Sequence, residues 1–247
     1  MDFALAAFFV APGLALGSFL NVVAARVPLR RSIVTPRSAC PSCATPIEWY
    51  DNIPLLSYAV LRGRCRSCST RIGLVYPAVE LLTAALIAGS VLRFGLTARA
   101  AIAAGVCAVL VVVSATDLEH RIVPNRIVLP ATVAVLVANL VVSPGIEWPL
   151  AAIAAATFLF LPALAAPGAL GMGDVKLALF LGAALGRTTG VGIMLGLLAA
   201  LVPSLILLAK HGRKARKMAL PLAPFLALGG LIALFAGQPL LELYLRH

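Results

Sequence analysis

Gly171-Met172-Gly173-Asp174-Val175-Lys176 sets an acid between two strongly apolar segments. A second acid, Asp117, closes another apolar segment at Ala115-Thr116-Asp117-Leu118-Glu119. The chain has only 9 Asp and Glu in 247 residues. An ionised side chain beside hydrocarbon is costly, so an acid at such a border is a functional candidate by default. Whether the flanking segments cross a bilayer therefore decides both the fold and the meaning of the two acids.

Composition favours the bilayer. Hydrophobic residues make up 62% of the chain and charged residues 12%, against roughly half and a quarter in ordinary soluble domains. Lys and Arg number 20. A basic excess can signal nucleic acid, but here the cations sit in short loops between apolar runs, where they set membrane orientation. We therefore expect lipid contact and no nucleic-acid partner. The N-terminus, Met1-Asp2-Phe3-Ala4, has no basic leader, and its apolar run to Ala25 matches the ~20 residues needed to cross a bilayer. It reads as a retained span and not as a removed signal peptide.

The apolar pattern predicts about eight transmembrane helices, at 3–25, 75–92, 100–116, 127–142, 148–166, 175–187, 189–209 and 219–241, in an all-α polytopic fold. The sixth is short and Gly-rich, so it is expected to be tilted, broken or buried among neighbours. Pro162, Pro203, Pro221 and Pro224 lie in or near spans, as lipid-embedded helices allow when neighbours satisfy the freed carbonyls. With Met1 outside, sixteen of the 20 Lys and Arg fall on the inner side. They include eight arginines between Arg26 and Arg71, then Arg121, Arg126 and Lys176, and a cluster from Lys210 to Lys217. Only Arg93, Arg99, Arg187 and Arg246 fall outside. The positive-inside rule then orients the chain in the cytoplasmic membrane and puts Asp117 and Asp174 at the cytoplasmic border. The expected organisation is a first transmembrane helix over 1–25, a cytoplasmic insert over 26–74 and a transmembrane domain over 75–247.

The insert is too short to build a large core and needs a staple. Cys40-Pro-Ser-Cys43 and Cys65-Arg-Ser-Cys68 supply one, with 21 residues between the pairs. Paired CxxC knuckles suit a tetrahedral four-thiolate zinc site, with Cys40, Cys43, Cys65 and Cys68 as ligands. Iron or metal-free thiols are the alternatives, and a cytoplasmic loop disfavours disulfides. Four protein ligands leave no open position for a catalytic water, so the zinc is read as structural. Cys107, inside an apolar segment, reads as packing.

Each acid also has a plain structural reading. Asp174 before Val-Lys-Leu-Ala suits a helix N-cap. Asp117 ends a span, where a helix C-terminus disfavours negative charge, and it could simply mark the membrane border. Together they support a catalytic dyad. Two acids close together in low dielectric cannot easily both ionise and can share a proton. One can then activate water while the other protonates a leaving amine. Gly171 and Gly173 would let backbone or an extended substrate approach the acid. Lys176, two residues on, points away from Asp174 on a helix and reads as an interface anchor. Glu119, His120 and Glu80 are weaker candidates, Glu80 being placed to meet an arginine or a ligand.

These residues resemble the bifunctional type IV prepilin peptidases, membrane aspartic proteases of the GxGD type. The resemblance runs along nearly the whole chain. It is carried by Gly17-Ser18-Phe19-Leu20-Asn21-Val22-Val23, both CxxC pairs, Asp51-Asn52-Ile53-Pro54-Leu55-Leu56-Ser57-Tyr58 and Leu61-Arg62-Gly63-Arg64-Cys65. It continues in Tyr76-Pro77-Ala78-Val79-Glu80, Asp117-Leu118 with Ile122-Val123-Pro124-Asn125, and Gly171-Met172-Gly173-Asp174. The resemblance implies that 75–247 is an aspartic peptidase domain, with Asp117 and Asp174 holding the attacking water. It also implies cleavage of a prepilin or pseudopilin after a glycine at the cytoplasmic border of the inner membrane. Methylation of the new N-terminal amine from S-adenosylmethionine is implied too, with the cytoplasmic loop involved; no Gly-rich nucleotide fingerprint supports it independently. Where the family often has a Pro-Phe-Gly-Pro-like stretch, this chain has Pro221-Leu222-Ala223-Pro224.

Two other classes compete. A transporter whose carboxylates carry protons or cations would show flux and cut no peptide, but transporters often carry internal repeats and none is evident here. A zinc-stabilised scaffold would be indifferent to loss of either aspartate.

Overall fold

The computed structural model describes residues 2–165, 170–212 and 220–245. Among these residues ten α-helices run in order: α1 Asp2–Phe8, α2 Val10–Arg26, α3 Leu56–Val60, α4 Val75–Phe94, α5 Ala98–His120, α6 Asn125–Val142, α7 Glu147–Ala165, α8 Met172–Leu185, α9 Thr189–His211 and α10 Ala223–Leu245. Seven helical stretches are long and apolar enough to cross a membrane. One of them, Met172–His211, has 40 residues, about 60 Å at 1.5 Å per residue, or two bilayer thicknesses. It is broken at Gly186–Thr188 by a single 3-10 turn, which separates α8 from α9. The protein is an all-α, multi-pass membrane protein, and with α8 and α9 counted separately it has eight apolar helical segments among the described residues, of which α8, at 14 residues, is shorter than a full crossing. The basic cluster from Arg213 to Lys217, and Arg246, lie outside the described residues.

The first span is two helices, not one. Pro12 has no N–H to give the Phe8 carbonyl, so the ladder stops there and α2 begins afresh at Val10. The chain forms two compact units, Met1–Ala115 and Thr116–His247.

In the first unit, α2 packs along α4. A Cβ added to Gly17 would lie 2.6 Å from Glu80 Cα, so the backbones meet there as small-residue seams in membranes allow. Asn21 Nδ2 donates to the Tyr76 carbonyl at 3.1 Å and fixes the same seam at the start of α4. The insert between α2 and α4 has little core, as its length demands. It is held by turns, by α3 and by the Asp51–Arg66 pair, a two-pronged contact at 2.8 and 2.6 Å. Cys107 is 1% exposed with Ser90 Oγ 4.0 Å from its sulfur, a packing position.

In the second unit, α8 is the centre. It touches α6, α7, α9 and α10, and Leu177, Ala178, Phe180, Leu181 and Ala183 are fully enclosed. The short, Gly-rich sixth span is therefore buried among neighbours. Its free carbonyls find partners: Asn139 Nδ2 of α6 donates to the Ala183 carbonyl at 2.9 Å, the kind of interhelical bond that hydrocarbon favours.

Candidate active site and metal centre

Asp117 lies in the last turn of α5 and is 6% exposed. Its unfavourable position at a helix C-terminus is offset from another helix: Oδ2 accepts the Ala223 backbone N–H at 3.1 Å. Ala223 is the first residue of α10, where N–H groups lack intrahelical partners and the macrodipole favours an anion. The stretch Pro221-Leu222-Ala223-Pro224 thus meets the acid directly. No sequence signal could announce this contact, because the donor is backbone.

Asp174 is not an N-cap. Gly171 is the N-cap of α8, in extended conformation and without a side-chain capping bond, and Asp174 stands in the first turn. Its carboxylate folds back on the Gly171 backbone and lies within electrostatic reach of Asp117. Both acids belong to the same compact unit.

Two contacts hold the segment after α5 against the start of α8. A Cβ on Gly173 would stand 2.9 Å from Val123 Cβ, so only glycine lets Val123 lie there. Lys176 Nζ donates to Asn125 Oδ1 at 2.9 Å, so the lysine anchors the 121–125 turn. Val123 precedes Pro124 and is driven extended, which ends α5 and turns the chain towards α6. The room beside Gly173 is taken by Val123. A Cβ on Gly171 would meet only Asp174 Oδ2, at 3.3 Å, and Gly173 N, at 3.9 Å, so Gly171 keeps the acid approachable. Among the described residues His120 Nε2 has Glu119 as its one ion-pair partner, at 3.9 Å, and no hydrogen bond holds either residue against Asp117.

The four paired cysteines form a second centre, in the first unit. Their sulfurs lie within 4.8 Å of one another, with Cys40 and Cys68 Sγ 3.7 Å apart. Sulfurs at ~2.3 Å from a tetrahedral zinc are separated by about 3.8 Å, so the cluster could hold a metal ion of that kind. It is built from one turn used twice. Cys40 N–H donates to Thr45 O and Ala44 N–H to Cys40 O; Cys65 N–H donates to Thr70 O and Ser69 N–H to Cys65 O. Ile47 N–H reaches Ser38 O, and Ile72 N–H reaches Gly63 O, each at 2.8 Å. The match extends from 38–47 to 63–72, beyond the CxxC pairs. Aligning Cys-x-x-Cys-x-Thr-x-Ile with itself would have found it. Hydrogen bonds from Thr70, its side chain first and then its backbone, bring the Cys68 thiol down to about 6, and Thr45 likewise lowers Cys43. Both favour the thiolate that a metal needs.

The chain matches two family profiles: the bacterial peptidase A24 N-terminal domain over residues 12–94 and the type IV leader peptidase family over residues 104–209. It is 36% identical over 239 residues to a prepilin leader peptidase/N-methyltransferase of Bacillus subtilis, covering 95% of each chain. It is 33% identical over 266 residues to the protein of that name from Pseudomonas aeruginosa, covering 95% of this chain and 91% of the relative. A Myxococcus xanthus protein of the same name is 48% identical over 129 residues, 52% of this chain and 38% of the relative. No solved structure matches.

Proposed function

Because the chain belongs to the type IV leader peptidase family, we propose that it is an aspartic endopeptidase of the inner membrane. It removes the basic leader from type IV prepilins or pseudopilins at the cytoplasmic border and then methylates the new N-terminus from S-adenosylmethionine. The observation that supports this reading is that Asp117 and Asp174 lie in one compact unit, each near a helix end, with Asp117 accepting the Ala223 N–H and Asp174 set beside Gly171.

Asp117 and Asp174 share one proton in the resting site. The ionised carboxylate takes a proton from a water as the water oxygen attacks the scissile carbonyl carbon. The protonated partner bonds the carbonyl oxygen, and a proton then passes to the amide nitrogen as the C–N bond breaks. No bond forms between enzyme and substrate. The Ala223 N–H orients Asp117, and the open flank of Gly171 admits an extended peptide. The basic leader remains on the side where the positive-inside count puts both acids. Cys40, Cys43, Cys65 and Cys68 hold a zinc ion that folds the insert.

The test is purified enzyme with a full-length prepilin and added S-adenosylmethionine in detergent, read by mass spectrometry. Wild type should give the leader-free chain and its form heavier by one methyl. Asp117→Asn and Asp174→Asn should each lower cleavage by roughly a thousandfold or more. Full cleavage in both variants overturns the dyad. Ion flux across proteoliposomes without any cleavage would favour the transporter alternative.

A further inference from the structure

The first unit holds a buried acid that this chemistry does not use. Glu80, in the second turn of α4, is 9% exposed. One carboxylate oxygen accepts the Leu55 backbone N–H at 2.9 Å, and Ser18 also bonds the carboxylate. Among the described residues no Lys, Arg or His stands within ion-pair distance of it. A carboxylate offers about four acceptor positions, so two donors leave capacity, and a buried anion without a countercharge is costly.

Glu80 lines a cavity of about 520 Å³, within the ~300–1,000 Å³ that accommodates small-molecule ligands. α2 contributes Asn21 and Val22, α4 contributes Tyr76, and the insert contributes Leu55 and Tyr58. Tyr58 Oη donates to the Ile72 carbonyl at 3.3 Å, tying one wall to the second cysteine knuckle. The Asn21 bond to the Tyr76 carbonyl fixes the part of the lining that α2 and α4 supply. The cavity therefore joins a buried anion, aromatic surface and polar groups with Arg26, Arg71 and the Asp51-paired Arg66, cations that suit a ligand carboxylate, and its lining draws on the cysteine-stapled insert.

We propose that this cavity binds S-adenosylmethionine, with Glu80 against the donor's cationic pole. The inference rests on the methylation proposed above and names where the donor sits. The donor carries an ammonium and a sulfonium against a single carboxylate, and an aromatic base beside them. The cations match Glu80, the carboxylate matches the lining arginines and the base matches the aromatic surface of Tyr58 and Tyr76. A peptide amine would answer only the first of these.

The experiment is equilibrium dialysis of radiolabelled S-adenosylmethionine against the full-length, metal-loaded protein in detergent. Wild type binds, Glu80→Gln binds roughly ten- to a hundredfold more weakly, and Val22→Trp, which fills the cavity, does not bind. Asp174→Asn binds like wild type. Retained prepilin cleavage by the Glu80 and Val22 variants shows that they are folded. A measurement on wild type alone guards against misfolded variants: S-adenosylmethionine should slow amide exchange around residues 53–58 and 76–80 and leave 171–180 unchanged. Unaltered affinity in both folded variants, or protection elsewhere, overturns the assignment while methylation stands. A wild-type protein that neither binds the donor nor methylates a cleaved prepilin removes methylation itself, and this assignment with it.

Discussion

At Gly173 the missing side chain is what allows Val123 to lie against the start of α8. Gly173→Ala should therefore displace the 121–125 turn and cut cleavage at least about tenfold, because small misplacements of catalytic groups are costly; a kinetic comparison on a prepilin peptide reads it directly. Gly171→Ala, with only Asp174 and Gly173 nearby, should act on KM more than on kcat. Cys68 makes a second residue-level prediction. In the metal-free protein its thiol, drawn down to about 6 by Thr70, is largely thiolate at neutral pH. Alkylation followed by mass spectrometry should be fastest at Cys68, with the rate rising as pH passes about 6, and zinc should suppress it. The two acids stand out in the sequence because acids are scarce in this chain and both border apolar runs, Asp117 near the end of α5 and Asp174 near the start of α8. The Ala223 contact does not, since a backbone donor leaves no mark on residue identity. The plain alternative for Asp174, an N-cap, rests on Asp being a good cap in general, and it fails because α8 starts two residues earlier at Met172 with Gly171 as its cap.

Among the elements, α10 acts on the site through its first N–H. Pro is well tolerated at the first helical position, so Ala223→Pro should remove that donor at little cost to the helix. Losing a hydrogen bond to a charged group costs about 1.5–3 kcal/mol, which predicts a ten- to hundredfold lower kcat with the melting temperature nearly kept. A matching loss of melting temperature would make the contact structural instead. The paired cysteine turns are the corresponding element in the first unit. Chelating the metal should speed amide exchange through 38–72 and leave α8 protected, since metal binding energy there is folding energy. The existence of the membrane helices was readable because lipid demands long unbroken apolar runs. The break between α1 and α2 was also readable, at Pro12, but a span-length window averages across it. The central burial of α8 was anticipated only as one of three possibilities, because a helix that is apolar all round does not say which neighbours cover it.

For the whole molecule, the proposed orientation rests on the distribution of Lys and Arg. Alkaline phosphatase fused after Gly145 should be active outside, and the same reporter fused after Gly212 should be silent; the reverse would invert the chain and put both acids on the wrong side for a cytoplasmic leader. The central claim is that Asp117 and Asp174 work as one unit. The most direct test measures cleavage rates of Asp117→Asn, Asp174→Asn and the double variant on one prepilin. Groups that act together lose their contribution once: both single variants and the double variant should fall to the same residual rate. Single variants that retain near-normal rates, or losses that multiply in the double variant, would contradict the account.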